Sequence, residues 1–245
     1  MKNFFVMLAA GLVLFGALAP AAFAAIEVEG DVYASYNDKY LWRGFNLSDS
    51  KHVLQPGVDI YIGNFTLGYW SNLDLDSGEI NETDITIDYA FDLGEMLSVS
   101  VGNIFYAVDE IADTNEAYLT FGLNTLLSPT LEAYYDYDEA ESDGLFFIAS
   151  VGHTFEVSDS IGINLGALVS YNQASDYSIF YEDADENAVS YRDWHNYELS
   201  ISSDYAVTDQ VTITPAFIYS SGISDEAKLA IDSETLGGVT VNFTF

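Results

Sequence analysis

Cysteine is absent from this 245-residue chain, and positive charge is nearly so: six Lys and Arg stand against thirty-nine Asp and Glu. With no cysteine there is no disulfide framework, no thiolate metal site and no cysteine nucleophile. A formal net charge of −33 excludes nucleic acid as a partner, because neutralising a phosphate backbone takes basic stripes. Long apolar runs are missing after the first two dozen residues, and none approaches the roughly 18 residues that a transmembrane helix needs. If residues 25–245 enter a membrane, they do so as strands.

The amino-terminal residues read as a secretory signal. Lys2 supplies a positive n-region, "FFVMLAAGLVLFGALA" an apolar core, and Ala22-Phe23-Ala24 a small-x-small cleavage site. Residues 1–24 are therefore expected to be removed, leaving one domain at 25–245; a retained anchor helix would call for a longer apolar run. Without Lys2, five basic residues remain against the same thirty-nine acids.

What the chain has in abundance is alternation. In "ETDITIDYAFD" Ile85, Ile87, Tyr89 and Phe91 share one face, and Asp84, Thr86, Asp88 and Ala90 the other. "TLEAYYDYD" and the closing "GGVTVNFTF" repeat that period of two, and no helical period competes. Twelve such segments are expected, near 26–37, 53–62, 65–73, 82–92, 97–107, 115–125, 130–138, 144–155, 160–172, 194–206, 210–220 and 236–245. Short connections at Gly63-Asn64, "LGEM", "LLSPT", "EVSDS" and "AVTDQ" alternate with longer ones at 38–52, 74–81, 108–114, 139–143, 173–193 and 221–235. An even strand number with short turns at one end and long loops at the other is the layout of a bacterial outer-membrane barrel.

Energetics decides which face points where. Several strands carry two or three carboxylates on their polar face, and five basic residues cannot neutralise them. Buried dry and unpaired, each would cost several kcal/mol, so that face must be wet. A membrane barrel achieves this with a polar lumen and an apolar exterior; a soluble sandwich with the acidic face to solvent is the competing arrangement. Phe245 ends an apolar-alternating last strand of the kind presented to the barrel-assembly machinery. Pro215, mid-strand, suggests a bulge.

One stretch breaks the acidic pattern. "YNDKYLWRGFNLSDSKHVLQPGVDIYIGNFTLGYWSNLD", residues 36–74, holds Lys39, Arg43 and Lys51. It resembles the amino-terminal block of the TorF-like porins, a proteobacterial family of outer-membrane β-barrels. The residues that carry the likeness are Tyr40, Arg43, Gly44 and Phe45, then Leu54 to Gly57, then Gly68, Trp70, Ser71 and Asn72, with weaker echoes at residues 81–91 and at Glu116 and Tyr118. The match spans about residues 33–91 and implies a channel, with neither a defined solute nor catalytic residues.

The candidate site is therefore a bore. Strand parity turns Glu27, Glu29, Asp31, Asp59, Asp84, Asp88, Glu116, Glu132, Asp136 and Glu198 inward. Such a lumen would concentrate cations and exclude anions; the alternative is a general acidic bias over every wet surface. Twelve strands lie between the self-filling eight and the wide sixteen, so the bore is either a narrow passage or is closed by Tyr33, Tyr61, Trp70, Tyr118 and Tyr134. The loop at 38–52 is expected to fold partly into the mouth, Arg43 pinning it to the acidic wall as a constriction. Alternatively its cations meet lipid headgroups outside.

Other chemistries have thinner support. Asp193-Trp194-His195 and Asp74-Leu75-Asp76 are similar to the paired residues of omptin-type proteases, which activate water by general-base catalysis. "DLDSGE" at 74–79 has its glycine one place off the EF-hand pattern. The expectation is thus an all-β, up-and-down transmembrane barrel of about twelve strands in the bacterial outer membrane, with no enzymatic role, cofactor or metal. It is a passive, cation-preferring channel whose pore-lining or constriction residues are Arg43, Asp59, Asp84, Asp88, Glu116, Glu132 and Asp136. Its partners are outer-membrane lipids, small solutes and the barrel-assembly machinery. A plugged barrel serving as a surface binding or structural protein is the main alternative, and an omptin-like hydrolase the remote one.

Overall fold

A computed structural model describes residues 28–138, 144–174 and 191–245, together with the backbone of two short strands at 181–182 and 188–189. The expected signal at 1–24, Glu27 and most of the loop at 173–193 lie outside the described residues.

The alternating segments become twelve strands: β1 (Glu29–Asn37), β2 (Val53–Ile62), β3 (Phe65–Asp74), β4 (Glu79–Leu93), β5 (Leu97–Val108), β6 (Thr114–Leu123), β7 (Thr130–Asp136), β8 (Leu145–Ser158), β9 (Ile161–Gln173), β10 (Arg192–Ala206), β11 (Val211–Gly222) and β12 (Glu234–Thr244). Each pairs antiparallel with its neighbours in sequence, and β1 closes on β12 to complete a barrel. The seam is sealed at the chain end, where Gly30 N–H donates to Phe245 O at 3.0 Å and Phe245 N–H to Gly30 O at 2.9 Å. Closure leaves no free sheet edge, which is what lets strands sit in hydrocarbon. It also excludes the open sandwich.

The pleat sorts the side chains. Leu67, Ile87, Leu119, Leu165, Leu199 and Val241 are exposed on the outer surface, while their strand neighbours Gly68, Asp88, Thr120, Gly166, Ser200 and Asn242 face inward. Exposed aromatics gather towards the two ends of the barrel: Phe65, Phe121, Phe155, Tyr205 and Phe243 near the short turns, Tyr36, Tyr135, Tyr137 and Trp194 near the long loops. An apolar belt between aromatic girdles, around a polar interior, is the arrangement of a membrane-spanning barrel. Among the described residues no helix is long and apolar enough to cross a membrane; a four-residue helix, α1 (Ala227–Ala230), caps the long-loop end.

Two expectations need correction. Pro215 makes no bulge: the β10–β11 ladder lapses between Ser202↔Ala216 and Tyr205↔Ile213 and resumes in the same register. The missing N–H falls on the β10 side, while pairing with β12 runs on through Pro215↔Val239. The connection drawn at 74–81 shrinks to a tight turn, because Asp74 Oδ1 accepts the N–H groups of Asp76 at 2.7 Å and Ser77 at 3.0 Å, and Gly78 takes φ 75°. With the turn closed that early, β4 begins at Glu79.

Candidate functional site

Segment 38–52 leaves β1 at the long-loop end and folds back into the lumen as a hairpin. Leu41 pairs with Asn46 and Trp42 with Phe45; Leu47 N–H donates to Tyr40 O at 2.8 Å, and Tyr40 N–H to Ser48 Oγ at 2.9 Å. The two turn residues, Arg43 and Gly44, have φ of 47° and 85°, the double positive φ of a type I′ turn. Gly44 adopts it freely, whereas Arg43 carries a Cβ and is held there at a cost of about 1–2 kcal/mol.

Contacts around the Arg43 side chain offset that strain. Its Nη1 and Nη2 donate in parallel to Glu116 Oε1 and Oε2, at 2.8 and 2.9 Å, on the inner wall of β6. Tyr106 O–H donates to the same Glu116 Oε2 at 2.8 Å. Three rings flank the guanidinium, with centroids 4.4 Å away for Trp42, 4.8 Å for Tyr134 and 4.4 Å for Phe146. The side chains of Arg43 and Glu116 are 7% and 2% exposed, so the pair is essentially dry. Burial by itself works against the charged guanidinium, and Glu116 outweighs it, raising the Arg43 pKa above its ordinary value.

The hairpin is tethered on other sides as well. His195 Nε2 and the Arg43 carbonyl lie 2.8 Å apart. Lys39 pairs with Glu234 at 2.6 Å at the start of β12, where Asn46 Nδ2 also donates at 3.3 Å. Lys51 approaches Asp74 at 3.8 Å. All three cations of the segment therefore meet barrel carboxylates, which explains their clustering in so acidic a chain. Phe45 packs on a small apolar cluster of Tyr191, Ala227 and Ile231 contributed by the loops above.

A bulge places His195. Register passes from Val169↔Tyr197 to Tyr171↔Trp194, so His195 and Asn196 together oppose Ser170. Two successive residues are thereby turned inward, both fully buried. His195 is thus a support for the hairpin. Of the residues similar to the omptin pairs, Asp74 is engaged by its own turn and by Lys51, and His195 by the hairpin carbonyl.

The other wall carboxylates divide by depth. Asp84 lies beside the hairpin, opposite Trp70 and Tyr106 on the adjacent strands. Asp136, buried near the long-loop end, accepts from Thr114 Oγ1. Deeper, Asp88 accepts from Tyr118 O–H at 2.8 Å, Glu132 accepts from Tyr134, and Asp59 faces Asp31 across the β1–β2 ladder. Arg43, Asp84 and Glu116 are thus brought together, while Asp59, Asp88 and Glu132 face the barrel interior below. Two of the tyrosines expected to close the lumen lie over glycines instead. Tyr33 crosses Gly57, and Tyr118 crosses Gly102 to reach Asp88, positions where a Cβ would come within 2.3 and 2.4 Å of the ring. The hairpin is held in the mouth by Tyr106, Phe146 and Glu234, which no short motif marked, and by His195, whose motif pointed to a different role.

A cavity lies on each side of the hairpin. The outer one, about 240 Å³, is lined by Tyr40, Trp42, Tyr106, Glu82 and residues of the loop above, including Asp109 and Ile111. The inner one, about 270 Å³, reaches Ile104, Ile148, Leu168 and Glu198 further down their strands. Trp42 and Tyr106 line both. Burial, then Glu82, pushes the Tyr40 hydroxyl well above the ordinary phenol value.

No protein-family model matches the sequence, and no curated protein matches it. Solved structures do match. The chain is similar to the NanC porin (13% identity, TM-score 0.59, covering 87% of this chain and 98% of that one). It is also similar to the KdgM porin (14%, 0.56, 89% and 99%), which has been solved in complex with disordered oligogalacturonate. An outer-membrane channel from Pseudomonas putida F1 shares the fold too (10%, 0.53, 93% and 100%). The fold is that of bacterial outer-membrane porin barrels.

Proposed function

We propose that the protein is an outer-membrane channel for small solutes, preferring cations, with its bore narrowed by the 38–52 hairpin. The observation that carries this reading is the Arg43–Glu116 clamp, which fixes a loop across the mouth of a barrel whose wall below remains acidic. Among the described residues, Asp31, Asp59, Asp84, Asp88 and Glu132 have no Lys or Arg within ion-pair distance. Carboxylates lining a narrow bore with low-dielectric walls raise local cation concentration and repel anions. An anionic chain such as the oligogalacturonate seen with KdgM would meet repulsion here.

In this reading the short turns and the termini face the periplasm, and the last strand, ending at Phe245, is the segment offered to the assembly machinery. The likeness of residues 33–91 to the TorF-like porins supports a place in that family, with no family model to extend it. Purified protein in a planar bilayer under a salt gradient should show discrete conductance steps and a cation-selective reversal potential. Silence across a range of voltages would leave the plugged surface barrel in its place.

A further inference from the structure

The outer cavity has a chemistry that the bore as a whole lacks. Three aromatic residues, Tyr40, Trp42 and Tyr106, line it beside aliphatic Leu47, Val108 and Ile111, and Glu82 and Asp109 supply its carboxylates. Glu82 is only 9% exposed. The Tyr40 hydroxyl lies beside it, yet among the described residues no Lys, Arg or His is within ion-pair distance. Two positions along the same inner face, Asp84 adds a carboxylate whose Oδ1 is buried without a hydrogen-bond partner. The nearby cation, Arg43, is already bound to Glu116. An ionised carboxylate enclosed without a countercharge costs several kcal/mol, which a cation arriving with a solute would offset.

The surroundings favour one kind of cation. Among the described residues no group of three or more His, Asp or Glu is placed to hold a metal ion. An ammonium needs less: one carboxylate to accept its N–H bonds and ring faces to attract its charge. The aliphatic residues suit an apolar body. At about 240 Å³ the cavity equals roughly eight waters of about 30 Å³ each, room for a small amine and not for an oligomer.

We propose that this cavity is a binding site for small alkyl- and arylammonium ions, with Glu82 as the charge partner and Tyr40, Trp42 and Tyr106 as an aromatic cage. The proposal rests on the channel reading and names its solute class. Asp109 stands at the outer rim for first encounter, and the way inward runs past Trp42 and Tyr106 into the inner cavity, where Glu198 is the next carboxylate.

The test uses purified full-length protein, in detergent micelles for binding and in planar bilayers for current, with phenethylammonium chloride as probe and 2-phenylethanol as its neutral counterpart. Calorimetry should show saturable binding of the amine, weakened about tenfold or more in Glu82→Gln and for the alcohol. Trp42→Leu should also weaken it, and Trp42→Tyr should retain most of it, which separates a cage from a mere folding role. Equal binding by Glu82→Gln, equal binding of the alcohol, or no saturable binding would overturn the site. A barrel that conducts potassium chloride but binds no amine loses this site and keeps the channel. One that binds the amine through Glu82 but carries no current keeps the site and loses the channel.

Discussion

Arg43 and Glu116 are 73 positions apart in the chain, yet they meet through two parallel hydrogen bonds of 2.8 and 2.9 Å. One sits on a hairpin turn and the other on the barrel wall, and both are nearly inaccessible to water. Cutting either side leaves the other charge buried and uncompensated.

Arg43→Ala is therefore expected to weaken docking of the hairpin by about 3–5 kcal/mol. Single-channel recording should show larger conductance and a reversal potential shifted further towards cations, since a positive group leaves an acidic bore. Unchanged conductance and selectivity would place the hairpin outside the conduction path.

Gly44→Ala should destabilise the hairpin for two separable reasons. Its φ of 85° disfavours any Cβ, costing about 1–2 kcal/mol, and that Cβ would stand 3.0 Å from Ile231 Cγ2 and 3.2 Å from Asn196 Nδ2. Gly78, with φ 75° and open space around it, provides the control. A denaturant midpoint lowered more by Gly44→Ala than by Gly78→Ala measures the packing contribution; equal shifts would mean that the turn is not packed against the wall.

Gly102→Ala should narrow the bore. The new Cβ would lie 2.4 Å from the Tyr118 ring and hydroxyl and 2.7 Å from the Ile87 carbonyl oxygen, so the ring must swing off Asp88 into the lumen and the adjoining backbone must shift. Conductance should fall, and adding Tyr118→Ala should restore it. If Gly102→Ala conducts as wild type does, the tyrosine has room elsewhere.

Neighbouring residues on β6 test the orientation of the wall. Leu119, on the outer face, should cost about 2–4 kcal/mol when replaced by Arg, if it lies at the bilayer midplane. Thr120→Arg, one residue on and facing the bore, should fold with much smaller loss and reduce cation selectivity. The opposite order, read from unfolding of the protein in lipid vesicles, would invert the assigned faces.

The alternation that predicts strands is visible residue by residue, as in Ile85, Ile87 and Tyr89 against Asp84, Thr86 and Asp88. It suffices to locate all twelve strands and to say which face is wet, because a period of two is a local property of the backbone. Strand ends are less legible where side chains rebuild the turn, as Asp74 does ahead of β4. The bulge at His195 and Asn196 leaves no mark in the pattern, so His195 resembles a catalytic partner until its contact with the Arg43 carbonyl is seen.

By itself, then, the sequence determines the strand count, the wet and dry faces and the oddity of three cations on one acidic barrel's first long loop, since these follow from local periodicity and charge scarcity. Only the tertiary structure decides which inward carboxylate receives Arg43. The stagger between strands sets the height of Glu116 relative to Asp84 and Asp136, and a type I′ turn aims the guanidinium at it. Those are relations between distant segments, fixed when the barrel closes, and no local pattern encodes them.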